Sequence, residues 1–79
     1  MRIILFTSDS CSPCRRVNQY LNSGAYNGPP IITMDARKFR DIAIEYSITS
    51  IPTLFVDDNG EERKFHGADI IIDHLKSLK

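Results

Sequence analysis

The stretch "RIILFTSDSCSPCRRV", residues 2–17, joins an apolar run, a polar break and both cysteines of the chain, Cys11 and Cys14. Residues 2–7 form a continuous apolar run of strand length bounded by Ser8, Asp9 and Ser10, the pattern of a central strand covered on both faces. From Ser12 to about Ser23 the positions Cys14, Val17 and Leu21 share one helical face, and Arg15, Arg16, Asn18, Gln19 and Asn22 turn outward. Pro13 suits a first helical turn, where no amide donor is needed. The cysteines therefore sit between the carboxyl end of a buried strand and the start of a helix, where ligands gather in open α/β sheets.

That position has chemical consequences. The first turn of a helix has backbone N–H groups without intrahelical partners and the positive end of the dipole, so an anion is stabilised there. A thiolate is such an anion. Cys11 is expected to be the attacking thiolate, and Cys14, one turn on and shielded beneath it, the resolving thiol. Ser12 and Pro13, between them, set the strain of the ring that a Cys11–Cys14 disulfide would close and the hydrogen bonds offered to Cys11. Arg15 and Arg16 can assist the thiolate and Asp9 oppose it, but solvated charges on a helix surface are the simpler reading of all three.

Metal binding stays open as the alternative use of the pair. A structural zinc site needs more than two thiolates, and the remaining candidates, His66 and His74, lack finger spacing. A purely structural staple is disfavoured, because so short a loop restricts the unfolded chain least.

The rest of the chain supplies one small domain over residues 1–79, enough for a single modest core. Apolar residues make up 42% and charged residues 25%, so a packed domain is expected rather than disorder. Ten basic residues balance ten acidic ones, and apart from the scattered "ARKFR" at 36–40 nothing resembles a nucleic-acid footprint. The N-terminal apolar run "IILF" is too short for a signal sequence or a membrane span, which predicts a cytoplasmic protein without a membrane partner. In that reducing setting, paired cysteines point to catalysis or metal rather than to a permanent bridge.

Beyond the cysteines, "NSGAYNGPP" at 22–30 is a loop and "IITMD" at 31–35 a second strand. Phe39, Ile42, Ala43 and Tyr46 recur at helical spacing and predict an amphipathic helix over 36–47. "TLFVD" at 53–57 and "EERKFH" at 61–66 read as strands joined by a tight Asn59-Gly60 turn, the second a charged edge strand. Gly67 breaks it, and Asp69 opens a last helix with Ile71, Leu75 and Leu78 on one face. Of the isoleucines at 70–72, one must point away from the core. His74 is expected to face outward, and Tyr20 and Tyr26 to pack a helix and its loop. The order strand, helix, strand, helix, strand, strand, helix predicts two strand–helix–strand units of parallel type, then an antiparallel hairpin and a closing helix. This is an α/β fold with a four-stranded mixed sheet flanked by three helices.

"CSPC" after an apolar strand, followed by "YSITSIPTLFVDDNGEERKFHGAD", resembles the thioredoxin and glutaredoxin superfamily over nearly the whole chain. The resemblance implies a minimal thioredoxin fold. "SIPTLFV" looks like the signature in which an isoleucine precedes a cis-proline, so Pro52 is expected to be cis and to lie against the cysteine pair. Ser50 and Ile51 would border the substrate, with the Ile51 backbone offered to an incoming peptide. His66, Gly67 and Ala68 stand where the family places the glycine beside its substrate groove, although His66 is equally readable as a partly exposed strand residue. The sequence departs from thioredoxins at Ser10, where they carry tryptophan, and at Leu5, where they carry a buried acid. Their additional N-terminal strand and helix have no counterpart in these residues. It departs from glutaredoxins in lacking an aromatic residue between the cysteines, in Ile51 where valine is usual, and in Gly67-Ala68 where they have paired glycines.

By this resemblance the chain is expected to be a small monomeric thiol-disulfide oxidoreductase without a bound cofactor. Its electrons would come from NADPH through a flavoprotein thioredoxin reductase. Its acceptors would be disulfide-containing proteins, with ribonucleotide reductase as a family-based example. A glutaredoxin recycled by glutathione is the alternative, and a non-catalytic module that holds peptides or a metal is a third reading of a different class.

Overall fold

The computed structural model describes residues 1–78. Its organising element is β1 (Arg2–Thr7), buried at every position after Arg2. Side chains alternate across a strand. Ile3 and Leu5 accordingly enter one apolar cluster, and Ile4 and Phe6 another on the opposite face. Both faces are covered, as an uninterrupted apolar strand requires.

α1 (Ser12–Asn22) follows, and then β2 (Ile31–Asp35), which pairs with β1 in parallel. α2 (Arg40–Glu45) leads to the hairpin of β3 (Thr53–Asp58) and β4 (Glu61–His66), and α3 (Ala68–Ser77) closes the fold. The sheet order is β2-β1-β3-β4. Leu54 and Val56 of β3 join Ile3 and Leu5 beneath Val17 of α1 and Ile71 and Leu75 of α3, and Phe55 joins Ile4, Phe6 and Ala43 of α2.

Only the first strand–helix–strand unit is parallel. β3 lies on the other side of β1 and runs antiparallel to it, with Phe6 opposite Thr53 and Arg2 opposite Asp57. The second expected parallel unit is therefore corrected, and the length of α2 explains why. Its six residues rise about 9 Å, whereas crossing back over strands of five or six residues takes ~17–20 Å. The chain re-enters the sheet at the end where it left. Beside β1, the buried run Thr53–Val56 is covered on both faces, and the charged β4 takes the edge.

The second helix is also shorter than its apolar spacing predicts. The Asp35 carboxylate accepts the amide hydrogens of Arg37 at 2.8 Å and Lys38 at 3.2 Å, a side-chain turn that competes with helix. Phe39 donates its amide to the Asp35 carbonyl at 2.9 Å. Phe39 thus becomes the residue before α2 and is 49% exposed, rather than part of a buried face. At the other end Ser47 adopts a left-handed φ of 58°. The Ile48 amide donates to the Ala43 carbonyl and the Ser47 amide to that of Ile44, a paired arrangement that ends helices.

The hairpin turn is Asn59-Gly60, both at positive φ, which matches the twist of the flanking strands. Gly67, at φ 88°, precedes α3. Ile71 and Leu75 are buried while Ile70 points to solvent. His74 does not face outward: its ring stacks on Phe65 of β4 with centroids 3.9 Å apart. Its Nε2 is enclosed without a partner among the described residues. Phe65 is the one apolar side chain that β4 turns toward α3, and the imidazole is the surface that covers it. Burial, and then the Arg63 guanidinium, push the His74 pKa down.

Candidate active site

Three connections meet at one end of the sheet. The Ser8–Cys11 loop leaves the carboxyl end of β1, the Ala36–Phe39 turn leaves that of β2, and Ser50–Pro52 enters β3 where Thr53 pairs with Phe6. Ala36 ties two of them together by donating its amide to the Thr7 carbonyl at 2.8 Å.

Cys11 is the residue that caps α1. Its Sγ accepts the backbone N–H of Cys14 at 3.2 Å, and its carbonyl accepts the amide of Arg15 at 3.3 Å. The first turn of α1 carries no acidic residue, so nothing there opposes negative charge on the sulfur. Cys11 and Cys14 are joined by a disulfide with Cα atoms 5.2 Å apart. The two sulfurs are unequal. Cys14 is fully buried, whereas Cys11 is partly accessible, with Ser12 and Pro13 exposed between them. Arg16 pairs with Asp69 on α3 instead of approaching the sulfur, and Arg15 and Asp9 are exposed.

The opposing loop is held by side chains. The Ile51–Pro52 peptide bond is cis, Pro52 is buried, Ile51 is half-buried and Ser50 is exposed. The buried Thr53 hydroxyl donates to the Ser50 carbonyl at 2.7 Å. That uses its only hydrogen, so His66 Nδ1, 3.1 Å away, is the donor to Thr53 Oγ1. Ser50 Oγ lies 3.4 Å from the same nitrogen, and the Gly67 amide donates to the Pro52 carbonyl at 3.3 Å. Ser50, Ile51, Pro52, His66 and Gly67 are thereby brought together, while the Ala68 methyl is turned into the core.

Leu5 is fully buried in the cluster under α1 and α3, and the buried polar residues are Thr7, Ser8 and Thr53. No carboxylate is buried near Cys14 among the described residues. Nor do three His, Cys, Asp or Glu side chains gather among them as metal ligands would. Tyr20 and Tyr26 pack against the α1–α3 cluster. Tyr26 donates its hydroxyl to the Pro29 carbonyl, and burial, with Tyr20 beside it, raises its pKa.

One feature reaches beyond the residues singled out from the sequence. An open groove of about 630 Å³ runs from Ser50 and Ile51 to Ala36, Arg37, Arg40 and Ile44. Its sequence signal is "ARKFR", of which Ala36, Arg37 and Arg40 line the groove.

The family model for thioredoxin matches residues 1–77. The chain belongs to the thioredoxin family. It is 31% identical over 64 residues to a thioredoxin of Mycoplasma genitalium, an alignment covering 78% of this chain and 63% of that protein. It is 29% identical over 62 residues to an H-type thioredoxin of Fagopyrum esculentum, covering 76% and 53%. The chain thus spans less than two thirds of either relative. Among solved structures, oxidised mitochondrial thioredoxin 3 of Saccharomyces cerevisiae superposes with a TM-score of 0.77 at 27% identity, covering 96% of this chain and 76% of that one. The reduced thioredoxin pre-protein of Schistosoma mansoni gives 0.76 at 26% identity, covering 98% and 77%. The strand–helix cysteine site and the loop opposite it are therefore found on a thioredoxin fold. No helix among the described residues is long and apolar enough to cross a membrane.

Proposed function

We propose that this chain is a dithiol oxidoreductase that reduces disulfides of other proteins. The observation that carries this reading is the asymmetric pair at the start of α1: a partly exposed Cys11 whose sulfur accepts the Cys14 amide, disulfide-bonded to a buried Cys14. In the reduced chain the same amide and the helix end favour the Cys11 thiolate.

That thiolate attacks one sulfur of a substrate disulfide, whose S–S bond breaks as the other sulfur departs as a thiolate. The departing thiolate takes the Cys14 proton, a role that falls to it because Leu5 offers no base. Cys14 then attacks Cys11 Sγ, the bond to the substrate breaks, and the second substrate sulfur leaves and is protonated from water. Two electrons pass to the substrate, and the Cys11–Cys14 disulfide closes. Ile51 offers its backbone to the substrate segment, and Ser50, Pro52, His66 and Gly67 shape the wall beside it, with Ser12 and Pro13 at the entrance.

No bound cofactor takes part in this scheme. The electrons come from NADPH through a flavoprotein thioredoxin reductase, in a reducing compartment such as the cytoplasm. The acceptors are disulfide-bearing proteins, of which ribonucleotide reductase is one by family analogy. The test is NADPH-driven insulin reduction with thioredoxin reductase, set beside the same assay with glutathione and glutathione reductase. Turnover in the first alone is expected. Turnover with glutathione alone would reassign the donor, and failure of the chain to reduce insulin after treatment with dithiothreitol would overturn the exchange reading itself.

A further inference from the structure

The groove beside Ser50 and Ile51 combines cationic and apolar chemistry. Arg37 and Arg40 stand on it, and no acidic residue lines it. Among the described residues Arg2, Arg16 and Arg63 each pair with a carboxylate, whereas Arg37 and Arg40, like Arg15 beside the cysteines, form no ion pair. Asp35, the nearest acid before them in the chain, has its Oδ1 turned to the amides of Arg37 and Lys38. On the same groove Ile44 is 73% exposed, the highest exposure among the large apolar side chains of the described residues. The chain as a whole has no net charge, so the two arginines of this groove are not part of a general positive surface.

The groove is continuous with the reactive end of the sheet. Ile51 borders it and precedes the buried Pro52, and Ala36 on its floor is bonded to Thr7, from which the Cys11 loop departs. A polypeptide whose cysteine is engaged by Cys11 and whose backbone runs past Ile51 continues into it.

We infer that Arg37 and Arg40 select disulfide substrates whose chain carries acidic residues beside the reactive cysteine, with an adjacent apolar side chain resting on Ile44. This inference rests on the exchange reading above. The occupant is an extended, acidic protein segment, because guanidinium groups match carboxylates and a groove of about 630 Å³, lined from Ser50 and Ile51 to Arg37 and Arg40, is larger than a single side chain fills. Exposed ion pairs of this kind are individually weak and sensitive to salt, so they tune which substrate is reduced first rather than whether reduction occurs.

The test uses disulfide-linked dimers of short single-cysteine peptides. Two flanking Glu residues are moved stepwise along either side of the cysteine, with Gln at the same positions as the neutral reference. The chain is pre-reduced, and single-turnover rates are read by acid quench and chromatography, normalised to the neutral 2-hydroxyethyl disulfide. At low salt the best-placed Glu peptide is expected to react about fivefold faster than its Gln counterpart, with the ratio falling toward one at high salt. The double variant R37Q/R40Q should bring the ratio to near one, and R37K/R40K should restore most of it, both variants retaining the native thermal transition. Equal rates for Glu and Gln peptides at every position, or a preference that survives in R37Q/R40Q, would overturn the inference. Glutathione disulfide reacting faster than every peptide with the same arginine dependence would overturn the protein-segment occupant in favour of a small tripeptide. Failure to reduce 2-hydroxyethyl disulfide would instead count against the exchange reading.

Discussion

The two faces of the sheet are built differently. Under α1 and α3 eight residues are buried in one cluster, including Leu5, Leu54, Ile71 and Leu75, and Arg16 and Asp69 link the two helices outside it. Under the short α2, among the described residues, only Ile4, Phe6, Ala43 and Phe55 form the buried cluster. Tyr46 packs on Phe6 and Phe55 with ring centroids 5.7 and 4.8 Å away, and Ile44 is left in solvent. The closed face holds the helix whose first turn carries the cysteines, so the geometry around Cys11 is fixed by a well-filled core. The open face carries the turn, the short helix and the groove. On the proposed reading, position of the reactive sulfur and accommodation of substrate thus fall to opposite sides of one sheet.

Substitutions on the two faces should separate these roles. The largest effect is expected for Leu5→Ala, which opens a cavity in the closed face and should cost about 2–5 kcal/mol in urea unfolding. Ile42→Ala on the open face removes a half-buried side chain and should cost about 1 kcal/mol. Equal losses would remove the distinction between the faces.

A smaller effect concerns pH. His74 has its pKa lowered in the folded chain, first by burial and then by Arg63. Asp58 and Glu61 line the same shallow depression. Because the folded state binds this proton less readily than the unfolded one, the contribution is present above the ordinary value of 6.5 and lost as the pH falls below it. His74→Phe keeps a ring on Phe65 and cannot ionise. Urea midpoints measured from pH 8 to 5 should fall less steeply for this variant, and parallel curves would show that His74 does not contribute. The smallest effect is expected for Asp69→Asn, which removes an exposed pair with Arg16 worth ~0–1 kcal/mol and screened by salt.

Local chemistry decides most of what is legible in the sequence. The unbroken run Ile3–Phe6 requires cover on both faces, Asn59-Gly60 requires a tight hairpin, and Pro13 after Cys11 marks a helix start. The features that escape it depend on which side chain or element a residue meets in the folded chain, whether near in sequence or far. The direction of β3 follows from how far α2 carries the chain, and α2 is short because the Asp35 carboxylate takes amides that the apolar spacing assigns to a helix. Helical spacing alone turns His74 outward, because its covering partner, Phe65, lies on another element. At the active site, the cysteine pair and the Ser50–Pro52 segment carry recognisable motifs. The Thr53–His66 hydrogen bond that braces the segment joins residues on paired strands, and the groove arises only once the Asp35 turn and that segment are neighbours.

The division of labour between the two cysteines is the central claim, and trapping the mixed disulfide tests it most directly. Cys11→Ser and Cys14→Ser variants are each mixed with an insulin-type disulfide, quenched with acid and weighed by mass spectrometry. Cys14→Ser, which keeps the accessible attacking sulfur and lacks the resolving one, should accumulate a covalent adduct through Cys11. Cys11→Ser, with only the buried sulfur, should form none. An adduct on Cys11→Ser and none on Cys14→Ser would contradict the assignment drawn from the cap of α1.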